Sequence, residues 1–253
     1  MVRLSVNVNK VATLRNSRGG SVPSVIAAVR VCIEAGAPGI TVHPRADARH
    51  ITLDDVHDVA GLVAESRRPL ELNIEGDPRP DLVDLVRHVR PDQCTLVPVM
   101  PGEVTSQAGW PPTTPRAELQ GVVDLLRGDG IRVSLFVEPT EAAIEWAHRI
   151  GADRVELYTE PYARACERGA SDRDDSFALY ARAARHAHGL GLGVNAGHDL
   201  DLDNLPLFST LPHLAEVSIG HALISHALFV GLERAVGDYL QALRPAAAPP
   251  ARG

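Results

Sequence analysis

Five side chains that can carry protons fall at or near the ends of short strand-like runs. His43 closes Gly-Ile-Thr-Val-His, Glu75 closes Leu-Glu-Leu-Asn-Ile-Glu, and Glu156 lies in Arg-Val-Glu-Leu. His198 follows Leu-Gly-Val-Asn, and His221 follows Leu-Ala-Glu-Val-Ser-Ile. Asn7, Asn9 and Lys10 end the first such run. Imidazole gains and loses a proton near neutrality. A carboxyl group lodged beside apolar walls is pushed up toward the same range. Brought together, these groups could move several protons in succession. One histidine after a strand is more often a satisfied structural residue, so the convergence of several runs is what matters. No HxH, HExxH or DxD spacing links these strand-end residues, which speaks against metal-dependent catalysis.

Anion binding is the second theme. Arg15, Arg18, Gly19 and Gly20 follow the first run, and Arg45, Arg49 and His50 follow the second. Gly220-His221-Ala222 opens a helix, where free backbone N–H groups favour an anion. Two cationic regions would suit two phosphate groups, although loop salt bridges explain arginines equally well. Lys10 is the only lysine among 25 basic residues.

The elements that must position these groups alternate regularly. Strands are expected at 4–8, 39–43, 70–75, 93–97, 131–137, 154–157, 192–195 and 214–219. Helices are expected at 23–35, 54–65, 80–88, 114–127, 140–149, 174–188, 203–209 and 222–240. Pro23 suits a first helical turn, Gly36 a C-terminal cap and Thr140 an N-cap. Apolar strands alternating with amphipathic helices argue for a parallel sheet covered by helices. Eight such units fit an α/β (β/α)8 TIM barrel spanning residues 1–241, with chemistry at the C-terminal ends of the strands. A doubly wound open sheet is the alternative, and the lack of GxGxxG after the first strand weakens its dinucleotide-binding form. Residues 242–253, rich in Pro and Ala, are expected to be a disordered tail.

Composition narrows the function classes. The 253 residues carry a formal charge of −7, which excludes a global nucleic-acid footprint. Aromatic residues make up only 4%, so the core must be mainly aliphatic. Three cysteines lack CxxC spacing and read as buried apolar residues in a reducing cytoplasm. The first residues lack a signal-peptide apolar run, and no apolar stretch is long enough for a membrane span.

Several motifs, taken together and in order, resemble the pyridoxine 5′-phosphate synthase family. They are Val6-Asn-Val-Asn-Lys-Val-Ala-Thr-Leu-Arg-Asn-Ser-Arg-Gly19, Gly39-Ile-Thr-Val-His-Pro-Arg45, Arg49-His-Ile51, Asn73-Ile-Glu-Gly76, Leu96-Val-Pro98, Val194-Asn-Ala-Gly-His198 and Ile219-Gly-His-Ala222. The resemblance implies a barrel with extra helices, assembled as an octamer made of four dimers. It implies condensation of 1-deoxy-D-xylulose 5-phosphate with 3-amino-2-oxopropyl phosphate, without metal or organic cofactor. By the same resemblance His43 and Glu75 are proton acceptors, His198 is a proton donor and Glu156 is a further acidic residue. Asn7, Arg18, Asp199, Gly220 and His221 would contact the amino-ketone phosphate. Asn9, Lys10, Arg45, His50 and Thr105 would contact the deoxyxylulose phosphate.

The chain departs from the commoner family pattern in four places. Asn7-Val-Asn-Lys10 stands for Asn-Ile-Asp-His, Pro44 follows His43, the strand Asn73-Ile-Glu-Gly76 differs, and Asp199 replaces a glycine. Lysine for histidine keeps a cation near a phosphate, whereas Asp199 adds a negative charge there. Lys10 could instead form an imine with the substrate. Two other classes compete: a metal-dependent sugar-phosphate isomerase or aldolase on the same barrel, and a phosphometabolite-binding regulator without catalysis. Retained bases argue against a pure binder, which needs only cations and amides.

Overall fold

The computed structural model of the protein describes residues 1–98 and 108–244. Eight parallel strands close into a barrel in sequence order. They are β1 (Arg3–Asn7), β2 (Gly39–Val42), β3 (Glu71–Gly76), β4 (Gln93–Leu96), β5 (Arg132–Val137), β6 (Arg154–Tyr158), β7 (Gly193–Gly197) and β8 (Leu214–Ile219). Eleven helices stand among the described residues. The first six are α1 (Asn9–Asn16), α2 (Val25–Glu34), α3 (Leu53–Ala64), α4 (Pro80–Val89), α5 (Arg116–Gly128) and α6 (Glu141–Ile150). The others are α7 (Glu160–Arg168), α8 (Ala170–Gly189), α9 (Leu205–Phe208), α10 (His221–Val230) and α11 (Leu232–Ala242). This is the expected (β/α)8 barrel.

Local chemistry explains where the helices begin. Thr52 and Asp55 form a capping box at α3, and the Thr140 hydroxyl accepts from the Ala143 N–H at 3.3 Å at α6. Pro80 sits in the first turn of α4, where a missing N–H costs nothing. At α2 the helix starts at Val25, with Ser24 rather than a preceding residue as its cap. Two helices, α1 and α7, were not expected. The single helix expected at 222–240 is two, because Gly231 (φ +86°) breaks it. Helix α11 runs to Ala242, so the chain is helical one residue into the expected tail; residues 245–253 lie outside the described set.

The strands read as continuous apolar runs, but in the barrel they alternate. Leu4, Val6, Ile40, Val42, Ile74, Val133, Leu135 and Val155 belong to the aliphatic core together with buried helix residues. Each such side chain contributes about 1.5–3 kcal/mol by leaving water. The residues between them face the barrel axis and are polar. Hydrogen bonds cross the interior between strands that are not neighbours: Asn195 Nδ2 donates to Gln93 Oε1 at 3.2 Å, and Ser218 Oγ to Thr41 Oγ1 at 3.2 Å. Ser5 and Thr41 hydroxyls lie 2.6 Å apart, and Thr95 donates to Asn73 Oδ1 at 3.0 Å. Buried polar groups are tolerated because they satisfy one another.

Candidate active site

At the C-terminal ends of the strands the barrel axis opens into a cavity of about 300 Å³. Its lining includes Asn7, Asn9, Lys10, His43, Arg45, His50, Glu75, Glu156, His198, Asp199, Gly220 and His221. Twelve of the fourteen residues expected from the sequence are thus gathered in one place. Arg18 is the exception among described residues: it is exposed in the turn after α1 and does not line the cavity. Thr105 lies outside the described residues. Asn73 and Asn195, also at expected strand ends, sit one layer deeper in the polar interior network.

Glu75 is the best-connected acid. It is 5% exposed, accepts from Asn7 Nδ2 at 3.3 Å through Oε2, and accepts from Ser218 Oγ at 3.4 Å through Oε1. His43 Nδ1 lies 4.0 Å from Glu75 Oε2. The distance is that of an ion pair, but the surroundings oppose charge on both partners. Burial pushes Glu75 up to about 7. Burial, then the electrostatic influence of His50 and the positive charges of Arg45 and Arg79, holds His43 well below the ordinary imidazole value. Near neutrality Glu75 is therefore poised between carboxyl and carboxylate beside a neutral imidazole, ready to exchange protons. Glu156 is buried too, and burial followed by the neighbouring Glu75 raises it well above the ordinary carboxylate range.

Asparagines hold this pair in place. Asn7 Oδ1 accepts from the Asn9 N–H at 3.0 Å, and Asn9 Oδ1 accepts from the His43 N–H at 2.9 Å. Asn9 and Lys10 open α1, so these two residues stand on a helix. At Gly220 an added Cβ would crowd the Asn7 side chain at 3.1 Å. Gly197 is needed because a Cβ would meet the Ser218 carbonyl at 2.6 Å and Glu156 Oε1 at 3.1 Å.

His198 projects from strained backbone. It and Asp199 have φ of +62° and +50°, a region that side-chain-bearing residues seldom adopt. The loop is pinned: Thr159 Oγ1 donates to the His198 carbonyl at 2.5 Å, and Asn204 Nδ2 to the Asp199 carbonyl at 3.0 Å. Phe136 and Tyr158 wall the ring, at centroid distances of 5.0 and 6.0 Å. Burial lowers the His198 pKa, and the Asp199 charge works against that fall. Among the described residues His43 Nε2, His50 Nδ1 and His198 Nδ1 are buried without a hydrogen-bond partner. Such nitrogens are free to engage a substrate.

One corner of the cavity is cationic. Burial, then Arg45 and Lys10, pulls His50 down to about 4. His43 and His50 rings stand 5.6 Å apart, so the cationic corner adjoins the acid–base pair. Across the cavity, Gly220 caps α10 and leaves the helix N–H groups without a side-chain cap. An anion at either place would be stabilised. Among the described residues no group of three or more His, Cys, Asp and Glu side chains could hold a metal ion. No described helix is long and apolar enough to cross a membrane.

A barrel whose strand ends join proton-transfer groups to anion-binding corners defines an enzyme-like site for small phosphorylated molecules. Comparison with known proteins narrows the class. Residues 4–245 match the family described as "Pyridoxal phosphate biosynthesis protein PdxJ", and the chain belongs to that family. It is 51% identical over 245 residues to a pyridoxine 5′-phosphate synthase of Bacteroides fragilis, covering 96% of this chain and 100% of the relative. A synthase of the same name from Porphyromonas gingivalis is 49% identical, covering 94% and 98%. The fold is also that of phosphoribosyl anthranilate isomerase from Thermotoga maritima, at TM-score 0.60 and 12% identity, covering 96% of this chain and 98% of that one.

Proposed function

We infer that the protein condenses 1-deoxy-D-xylulose 5-phosphate with 3-amino-2-oxopropyl phosphate to form pyridoxine 5′-phosphate, inorganic phosphate and water. The observation that carries this reading is the near-full-length match to relatives that bear one name. The site's chemistry agrees with it. The amine attacks the ketone and loses water to give a Schiff base. Glu75, as carboxylate, and His43 take protons from the carbon skeleton. His198, with Glu156 nearby, returns them to departing oxygens. Deprotonation and loss of a second water give an enol-type intermediate; phosphate then leaves one substrate, one water adds, and an aldol-type attack closes the ring before a last dehydration makes it aromatic, so two waters are released net.

Lys10, Arg45 and His50 would hold one phosphate, and the start of α10 the other. Fixing both reactants lowers the entropy cost of a two-substrate step. Asp199 falls near the second phosphate and is matched there by the helix N–H groups. No metal or organic cofactor has a part in this scheme. Working in the cytoplasm, the protein would assemble as an octamer. The exposed apolar end of α10 (Leu228, Phe229 and Val230) supports an interface.

The test is phosphate release. It is expected from the two substrates together and from neither alone, with and without chelator. Release that chelator abolishes would favour a metal-dependent isomerase or aldolase; no release, with tight substrate binding, would favour a regulator.

A further inference from the structure

Arg79 lies outside the cavity yet reaches the segment that carries His43. It caps α4 in extended conformation, just after β3, which carries Glu75. Its guanidinium is largely buried, with 14% of the side chain exposed, and all three nitrogens are engaged. Nη2 donates to the Pro44 carbonyl at 2.6 Å. Nη1 donates to Asp77 at 2.5 Å and Nε to Asp81 at 3.0 Å. Pro44 is the residue after His43, so this contact ties the end of β2 to the end of β3.

We propose that Arg79 is a positioning residue for the His43–Glu75 pair. It fastens the two strand ends that carry the pair and places a fixed cation beside the imidazole. A forked guanidinium can span three oxygens at set angles, and a lysine cannot. Proline supplies the carbonyl without an N–H that would need its own partner, and its fixed φ stiffens the tie. Asp77 and Asp81 orient the guanidinium, so its direction is set by α4 and not by solvent.

Other charges face His43, and the proposal takes them into account. Glu75 approaches from β3, His198 from the loop after β7, and Arg45 and His50 from the segment after β2. Lys10, on α1, acts on His50 and His198. Arg79 is the one contributor that is neither in the cavity lining nor a candidate substrate contact. Its loss would leave Asp77 and Asp81 uncompensated and make a proton on His43 easier to hold.

The experiment uses the full chain with 15N-labelled histidine, His43→Gln assigning the resonance. At about pH 5.5, a unit below the ordinary imidazole value, wild-type His43 is expected to stay neutral. In Arg79→Met the His43 titration should move to higher pH than in wild type. This measurement needs no substrate, so it stands apart from the reaction proposed above, on which only the kinetic arm rests. In the kinetic arm Arg79→Met should lower kcat at least about tenfold while each KM moves less than about threefold. Arg79→Lys should keep His43 neutral yet lose about threefold or more in kcat. A folded Arg79→Met whose His43 titration coincides with that of wild type would overturn the proposal. Should Arg79→Met fail to fold, an Arg79→Lys protein with unchanged kcat would overturn it.

Discussion

The two ends of the barrel hold the same kinds of side chain in opposite electrical states. At the N-terminal end Glu71 meets Arg3 and Arg132, and Arg3 also reaches Glu216 at 3.2 Å. Arg154 donates to Asn195 Oδ1 at 2.9 Å and Arg132 to Gln93 Oε1 at 3.0 Å, joining this cluster to the polar interior. Here burial raises the Glu71 pKa, but the hydrogen bonds of two guanidiniums overcome it and hold the group below its ordinary value. At the C-terminal end no guanidinium partner of Glu75 or Glu156 stands among the described residues, and burial wins. Glu216 shows the balance point: it is more deeply buried than Glu71, and burial outweighs its arginines, so its pKa is raised. Paired charge closes one end of the barrel, and unpaired, desolvated acid at the other end is available for proton transfer. The same fold thus separates stability from chemistry along its own axis.

The largest effect expected from breaking this contrast is at Glu75. Glu75→Gln keeps the shape and removes the base, so kcat should fall by about 10³-fold or more. Binding of the deoxyxylulose phosphate, read by calorimetry, should stay within about tenfold. Near-normal turnover would remove Glu75 from the mechanism. His198→Ala should be nearly as damaging to kcat.

At the opposite end Glu71→Gln should spare catalysis per folded molecule and cost stability, by about 2 kcal/mol in urea unfolding. The figure allows for the partial solvent exposure of the cluster. A large loss of kcat in the folded variant would contradict the separation of roles.

The pH dependence of stability should also differ in sign. Glu75 is raised from 4.5 to about 7 in the folded protein. Its contribution is therefore full below about 4.5 and is lost as pH rises through about 7, on the order of 3 kcal/mol in all. Glu71 is lowered, so its contribution is present above its ordinary value and lost on acidification. Thermal melts at pH 5 and pH 8 should show Glu75→Gln gaining on wild type at the higher pH. An equal difference at both would sink this reading of Glu75.

The smallest effect concerns Lys10. Lys10→Ala should raise the KM for the deoxyxylulose phosphate about tenfold and leave kcat within about threefold. An unchanged KM would count against its phosphate role. Borohydride trapping of a substrate on Lys10 would instead give it the imine.

The barrel was legible because eight strand-like runs recur with helices between them, and β8 falls at the expected 214–219. The polar axis was harder to see. In Ile-Arg-Val-Ser-Leu-Phe-Val, for instance, the outward aliphatics dominate the run and conceal Arg132 and Ser134 facing inward. Helix α1 escaped notice because only Val11 and Ala12 of its eight residues are buried, too few for an apolar stripe. Helix α7 begins Glu160-Pro161 and is short and polar outside Tyr162, Ala163 and Ala165. The site residues were legible as types at strand ends. Their partners were not, since Thr159 and Arg79 act across distances of 39 and 35 residues and share no motif with what they hold. Asn7 and Asn9 were read as substrate contacts, and in the folded chain their side chains also join Glu75 to His43.

Infrared difference spectroscopy on the unliganded protein tests the contrast between the two ends most directly. Protonated-carboxyl absorbance should fall as pH rises through about 7, and that fall should be reduced in Glu75→Gln, where Glu156 and Glu216 still contribute, and unchanged in Glu71→Gln. A fall confined to the ordinary carboxylate range, about 4, or one of undiminished size near pH 7 in Glu75→Gln, would contradict the account.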